Sequence, residues 1–272
     1  MTKPILIIDP GHGGKDPGGG TNKHWKEKDK VLDISLYQYK RFKELGVLVA
    51  ITRTTDKYLS PDERTGIVRN SGAEYCISNH LNAGKGDGAE VIHSIYDDGE
   101  LANRIAKAIK ETGQNVRRVF TRTLPGNSKL DYYFMNRDTG KVKTNIIEYG
   151  FADSPKDDVQ QLMDHIDEAE SVVKAFCEHI GHKYEAPSQK KKVQPKAKEG
   201  RHIRTGGLTP EMLAAFTAFL QSKNWFAEAR IREDKDKSTY VITGGLSSGM
   251  KKEAEAWLDS RGWWYTYENN MS

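Results

Sequence analysis

The feature that most constrains this chain is the alternation, from residue 5 to residue 180, of short apolar runs with amphipathic helical stretches. Ile5 to Asp9 is an apolar run closed by Pro10-Gly11, as expected of a strand buried on both faces. Glu27 to Leu45 sets Val31, Leu32, Ile34, Leu36, Tyr37 and Phe42 at helical spacing and stops at Gly46. The pattern continues with strands at 47–52, 74–78, 90–96 and 143–149, and helices at 61–70, 99–112, 156–163 and 166–180. Parallel strands need crossover connections, usually helices. The expectation is therefore an α/β domain whose mostly parallel sheet is flanked by helices on both faces.

That pattern stops at residues 184–201, where Tyr184 to Gly200, YEAPSQKKKVQPKAKEG, has two prolines, five lysines and no apolar periodicity. Such a composition cannot bury a core and reads as a solvated linker. It separates a domain at 1–183 from a smaller one at 202–272. The smaller domain repeats itself: Arg204-Thr-Gly-Gly-Leu208 returns as Ile242-Thr-Gly-Gly-Leu246, and Leu220, Ser222 and Trp225 return as Leu258, Ser260 and Trp263. The constant offset of 38 marks a duplicated unit. Each copy reads strand, Gly-Gly turn, helix, aromatic strand, so a βαββαβ ferredoxin-like α+β domain is expected, an antiparallel sheet with both helices on one face.

Charge excludes one class of partner. The net charge is +4, but residues 1–183 carry 27 basic and 27 acidic side chains and the excess lies mainly in the linker. No basic face is implied, and nucleic acid is not an expected partner. The apolar runs are strand-length, so no transmembrane segment is expected. Met1-Thr-Lys-Pro leads straight into a strand without an apolar leader, and the expectation is synthesis in the cytoplasm without a signal peptide. Cys76 and Cys177 lie in apolar runs and are expected as buried free thiols.

Chemistry concentrates at strand ends. The first strand runs into Asp9-Pro-Gly-His12-Gly-Gly-Lys-Asp16-Pro-Gly-Gly, and the carboxyl ends of such strands are where α/β sheets bind ligands. A second histidine, His80 in Ser78-Asn-His80-Leu-Asn82, stands where another buried strand runs out. Two neutral imidazoles suit zinc, and a catalytic zinc takes three protein ligands with one position left open. Glu27 at the head of the first long helix could be the third, but His24 and Asp29 are equally acceptable on spacing. An acidic residue there is also ordinary helix-dipole chemistry. Glu148 closes the apolar strand Asn145-Ile-Ile-Glu148, where a carboxylate needs a metal, a base or a hydrogen-bond partner. A water to be activated needs a general base, and Glu148 can be one.

Taken in order, DPGHGGKDPGG, the helix start EKDKVLDIS, Thr52-Arg53, SNHLNA and IIEYGF followed by Asp157-Asp158 resemble the N-acetylmuramoyl-L-alanine amidases of the Amidase_3 type, over residues 4–182. The resemblance implies Zn2+ held by His12, Glu27 and His80, which supplies the choice that spacing left open, and a catalytic Glu148. It implies hydrolysis of the amide between the lactyl group of muramic acid and L-alanine of peptidoglycan, in cell lysis by a phage endolysin or a late autolysin. Val142-Lys-Thr-Asn is more polar than the family usually is before its last strand, at the edge of the substrate groove. Asn82 and Arg137 are candidates to hold substrate, though loop polarity and surface charge account for them equally. Glu90 either supports the site or is simply a strand-end carboxylate. The alternatives are a zinc peptidase cutting within stem peptides and a non-catalytic wall-binding protein.

The second domain resembles the SPOR domain over 202–269, which implies binding to peptidoglycan glycan strands on its sheet face. RNA recognition uses the same topology, but no stretch matches its RNP1 pattern. A dimerisation module or a spacer remain as further readings. By strand alternation, about half of Trp225, Phe226, Trp263, Trp264, Tyr265 and Tyr267 should be core.

Overall fold

The computed structural model describes residues 3–156, 158–163, 165–187, 202–231 and 239–268. The lysine-rich part of the expected linker, 188–201, lies outside the described residues. The chain forms two compact units, Met1–Ala186 and Pro187–Ser272.

In the first unit the elements follow as β1 (Leu6–Pro10), α1 (Glu27–Glu44), β2 (Val49–Ile51), α2 (Pro61–Asn70), β3 (Tyr75–Asn82), β4 (Ala89–Ile92) and α3 (Glu100–Glu111). Then come β5 (Val116–Phe120), the hairpin β6 (Thr123–Leu124) and β7 (Asn127–Asp131), α4 (Phe134–Arg137), β8 (Lys143–Phe151), α5 (Asp158–Met163) and α6 (Ile166–His179). The six-stranded sheet has the order β2-β1-β3-β8-β4-β5. Strands β2, β1, β3 and β8 run parallel. β4 pairs antiparallel with β8 and parallel with β5, which makes the sheet mixed but mostly parallel.

All five residues of β1 are buried, because helices cover both faces of the sheet. One face carries Val31, Ile34 and Phe42 of α1, Ile105 and Ile109 of α3, and Val172 and Phe176 of α6 against Leu6, Ile8, Ile77 and Ile147. The opposite face carries Val68 of α2 and Met135 of α4 against Ile7, Cys76, Ile92 and Ile146. Helix α2 starts on a capping box, in which Ser60 accepts from the Glu63 amide and the Glu63 carboxylate accepts from the Ser60 amide. Both cysteines are free and buried. No helix among the described residues is long and apolar enough to cross a membrane.

The second unit is β9 (His202–Thr205), α7 (Pro210–Ser222), β10 (Ala227–Ile231), β11 (Thr239–Thr243), α8 (Ser248–Asp259) and β12 (Tyr265–Glu268). Its sheet order is β10-β11-β9-β12, antiparallel throughout, as the βαββαβ reading requires. The duplication is visible bond by bond. Thr209 and Ser247 cap α7 and α8 by accepting from the Met212 and Met250 amides. Gly206 donates to the Trp264 carbonyl as Gly244 does to that of Phe226. Leu220 and Leu258 share one core with Phe216, Val241 and Tyr265. Trp225, Trp263, Tyr265 and Tyr267 pack on or in that core, while Phe226 is 64% exposed. Trp264 lines an open cavity with Arg204 and Tyr240.

Candidate metal centre

The site is built at the carboxyl ends of β1, β3 and β8. Asp9, fully buried near the end of β1, accepts from Thr52 Oγ1 (2.7 Å), Ser78 Oγ (2.8 Å) and Arg64 Nη1 (2.7 Å). Arg64 also donates to the carbonyls of Pro10 and His12, and Arg53 to those of Pro10, Gly11 and Lys28. Two buried guanidinia thus gather the carbonyls of the turn and leave its side chains facing the other way. His12 sits in the left-handed region at φ 57°, a conformation of appreciable cost for a non-glycine residue unless its surroundings enforce it. Gly11 is required by close approach, since a Cβ there would lie 2.3 Å from the His80 ring. At Gly18, φ is +82° and a Cβ would meet the Glu27 carboxylate at 2.4 Å.

The result is a convergence of donors. His12 Nε2 lies 3.0 Å and His80 Nδ1 3.2 Å from Glu27 Oε1. The rings meet edge to face, with centroids 4.9 Å apart. One ligand atom from each of His12, Glu27 and His80 falls within 4.8 Å of the others, the only such group of three among the described residues. Glu27 is buried and is oriented by two amides, Leu81 N onto Oε1 (3.0 Å) and Gly20 N onto Oε2 (2.7 Å). Asp16 Oδ2 holds His12 Nδ1 at 2.8 Å, which leaves Nε2 for the centre. Neither His24 nor Asp29 belongs to the group.

The electrostatics follow from that crowding. Burial alone would raise the Glu27 carboxyl, but His12 and His80 outweigh it and hold the group well below the usual carboxylate range. Burial would lower His12, but the carboxylates of Glu27 and Asp16 reverse that and lift it to about 9. Such a donor set, two imidazoles on an anionic carboxylate, fits a divalent cation of zinc type.

Glu148 stands directly beside His80 in the β3–β8 register. Burial raises its carboxyl to about 7, with Glu27 and Glu90 adding to the rise and His80 and His12 opposing it. Its Oε2 is buried and has no protein hydrogen-bond partner. It lines a cleft of about 370 Å³ with His12, Glu27, His80, Asn82, Tyr133, Phe134 and Ile146. A smaller cavity of about 140 Å³ lies beyond His12 and His80, between Tyr58, Leu59 and Arg64, and Phe134 borders both.

The remaining candidates divide. Asn82 lines the cleft and donates to Glu90 Oε2 (3.1 Å). Glu90 is buried, pairs with Glu148 across β4 and β8, and takes the guanidinia of Arg117 and Arg118. Arg137 does not line the cleft. Its Nη1 donates to the carbonyls of Asp131 and Tyr132 and its Nη2 pairs with Asp138, so it braces the turn between β7 and α4. Three residues at the site were not singled out from sequence, Asp16, Arg64 and Phe134, and Arg53 entered only within the Thr52-Arg53 motif. Asp16 carried a signal, a carboxylate four residues after a loop histidine. Phe134 carried none, because only the fold brings residues 133–135 over the cleft.

Fold and site together define an α/β domain with a two-histidine, one-glutamate donor group beside a further glutamate in an open cleft. The chain belongs to the N-acetylmuramoyl-L-alanine amidase family of the Amidase_3 type, whose model matches residues 6–182. It is 39% identical over 100 residues to a sporulation-specific N-acetylmuramoyl-L-alanine amidase of Bacillus subtilis, a match spanning 34% of this chain and 36% of that protein. It is 29% identical over 171 residues to a germination-specific N-acetylmuramoyl-L-alanine amidase of the same organism, covering 56% of this chain and 69% of that one. The crystal structure of an N-acetylmuramoyl-L-alanine amidase from Clostridium difficile 630 superposes with a TM-score of 0.56 at 27% identity, covering 68% of this chain and all of that one. Residues 227–267 match the model described as the PlyG cell wall binding domain. The match in the second unit is thus to a cell wall binding domain and not to SPOR specifically.

Proposed function

We propose that this chain is a zinc-dependent N-acetylmuramoyl-L-alanine amidase that cleaves the amide between the muramic acid lactyl group and L-alanine, serving wall lysis as a phage endolysin or late autolysin. The observation that carries the reading is the convergence of His12 Nε2, His80 Nδ1 and the Glu27 carboxylate on one point beside Glu148. His12, Glu27 and His80 would hold zinc, which supplies a Lewis acid that polarises the scissile carbonyl and acidifies water. Asp16 fixes the His12 tautomer, and the two amides on Glu27 hold its carboxylate in place. Glu148 offers an oxygen with no protein partner; it takes the proton of the attacking water and returns it to the leaving amine nitrogen as the amide C–N bond breaks. Asn82, which donates to Glu90 and lines the cleft, would meet a substrate amide.

The second unit is read as the wall anchor, on glycan strands. What supports this is the wall-binding match and the cluster in which Arg204 stacks over Tyr240 and Trp264 lies against Gly206. The test is mass spectrometry of fragments released from purified peptidoglycan, with and without a chelator. Free stem peptides beginning at L-alanine, abolished by chelation and restored by zinc, are expected. Chelator-insensitive release would overturn the metal, and stem stubs left on the glycan would turn the reading to a peptidase.

A further inference from the structure

The register of the sheet lines up more than the proposed reacting groups. His80 is paired with Glu148, Glu148 with Glu90, and Glu90 with Arg118, so one row runs from β3 across β8 and β4 to β5 on a single face. At the last step the pairing slips. Ala89 faces Val116 but Glu90 faces Arg118, which leaves Arg117 as an extra residue in a bulge on the edge strand. Neighbouring residues of a regular strand point to opposite faces; here both guanidinia reach one carboxylate. Arg117 Nη1 is 2.7 Å and Arg118 Nε 2.9 Å from Glu90 Oε1.

One guanidinium together with Asn82 would satisfy Glu90, whose side chain is only 3% exposed. The second leaves the cluster with surplus positive charge. Arg117 and Arg118 are 47% and 50% exposed, and their only acidic partner among the described residues is Glu90. Apart from the two bonds above and Arg118 Nη2, 3.4 Å from Glu90 Oε2, their guanidinium N–H donors have no hydrogen-bond partner among the described residues. Aromatic rings hold the two planes: Arg118 lies 3.9 Å from the centre of the Phe120 ring and Arg117 5.5 Å from that of Phe151. Two half-exposed, pre-oriented forks of this kind match a carboxylate geometrically and electrostatically.

We infer that Arg117 and Arg118 form an anionic subsite that recognises a free carboxylate on the stem peptide, downstream of the scissile amide. The inference rests on the amidase reading above. Two strand spacings separate Glu148 from Arg118, roughly 10 Å. An extended peptide covers that in about two to three residues, so the carboxylate belongs to the second or third residue of the stem and not to its far end.

The experiment uses the full zinc-loaded chain and two synthetic muramyl peptides identical except that one bears free carboxylates at the second and third stem residues and the other carboxamides at both. The expected kcat/KM preference for the carboxylate is on the order of tenfold to a hundredfold, and it shrinks as salt is raised. In Arg117→Gln and in Arg118→Gln the preference falls toward unity, whatever happens to the overall rate, whereas Arg117→Lys keeps part of it. Each single variant leaves Glu90 one guanidinium and Asn82, which protects the fold. Equal cleavage of both peptides by the parent chain overturns the subsite and leaves the amidase reading standing. So does a variant that slows both peptides alike, because that is what mere support of Glu90 would do. Cleavage of neither peptide by the parent chain sinks the amidase reading, and the subsite with it.

Discussion

Replacing Arg64 by methionine tests how the metal loop is held. The Arg64 side chain is 5% exposed and is paired at 2.7 Å with Asp9, which is fully buried. Methionine fills similar space but leaves the carboxylate with two hydroxyl donors and no hydrogen-bonded cation, and it strips donors from the carbonyls of Pro10 and His12. Breaking a buried pair from one side costs about 3–5 kcal/mol. The His12 carbonyl, which loses its Arg64 donor, pushes the cost upward, while that of Pro10 keeps Arg53. Arg53, whose own charge is disfavoured first by burial and then by Arg64, is relieved by the loss and pushes it down. A net destabilisation of about 3–4 kcal/mol is expected, a large part of a typical domain's ~5–15 kcal/mol. The assay is hydrogen exchange by mass spectrometry on peptides from β1 and β3, which isolates the first unit from the second, supported by urea melts. The double variant Asp9→Asn/Arg64→Met removes the uncompensated charge and should recover more than half of the loss. A single variant within 1 kcal/mol of the parent, or a double variant no better than the single, would refute the idea that charge pairing holds this turn.

Three further outcomes are expected. Asp16→Asn loosens the hold on His12 Nδ1 and should weaken zinc binding about 10- to 100-fold, read by competition with a chromophoric chelator; unchanged affinity would remove Asp16 from the site. Glu148→Gln should lower kcat by about 10²–10⁴ while zinc content stays at the parent level, since Glu148 is outside the donor group; persistence of near-parent turnover would end its role as base. His165 is driven down to about 4, by burial first and by Lys30 second, whose ammonium lies 3.4 Å from its Nδ1. Between pH 6.5 and 4 the unfolded chain therefore binds the extra proton, so this contribution to stability is complete above pH 6.5 and drains as pH falls through that window. Because the ring is partly exposed the loss is about 1–3 kcal/mol. His165→Gln should flatten the fall in urea midpoint between pH 7.5 and 4.5 relative to the parent, and identical pH curves would contradict the assignment.

Much of this was legible because the chemistry hangs on regular elements. Glu148, read as closing a strand that continues to Phe151, had both a strand carboxylate's need for a partner and the family motif behind it, and His12 and His80 could be argued from strand ends and zinc preference alone. Glu27 could not. Its first-turn position is ordinary for any acidic residue; the family resemblance named it, and the fold brings it under both imidazoles with the Gly20 and Leu81 amides on its oxygens. The stretch 116–137 gave no periodic signal and turned out to hold the edge strand, a short hairpin and the turn of helix that roofs the cleft. Four short elements, one of only two residues, offer too few repeats for a pattern to emerge. Arg137 illustrates the same limit: a loop arginine looks like a substrate ligand in sequence, yet its Nη1 is committed to the carbonyls of its own turn. In the second unit the 38-residue repeat carried the topology, because duplicated caps and Gly contacts fix both halves identically.

The parts that could be read and those that could not reflect two ways of positioning a functional group. His80, Glu148, Glu90 and Arg118 are placed by register, and a one-residue slip of any strand would turn its member of the row to the opposite face. That placement is secured by the apolar residues alternating with them, Ile147 and Val91 on one face and Ile146 and Ile92 on the other. His12 is placed instead by loop backbone, and Glu27, at the head of α1, takes its carboxylate orientation from the Gly20 and Leu81 amides; neither has such redundancy. The loop is held by buried charge: Asp9 anchors Arg64, and the two arginines collect the carbonyls that a glycine-rich turn would otherwise leave unpaired. The glycines that admit His80 and Glu27 at van der Waals distance thus make the turn pliable, and the arginines restore its rigidity. On this view the proposed metal centre depends on residues outside its donor group and its cleft. Losing a guanidinium should misplace His12 before it disturbs His80 or Glu148.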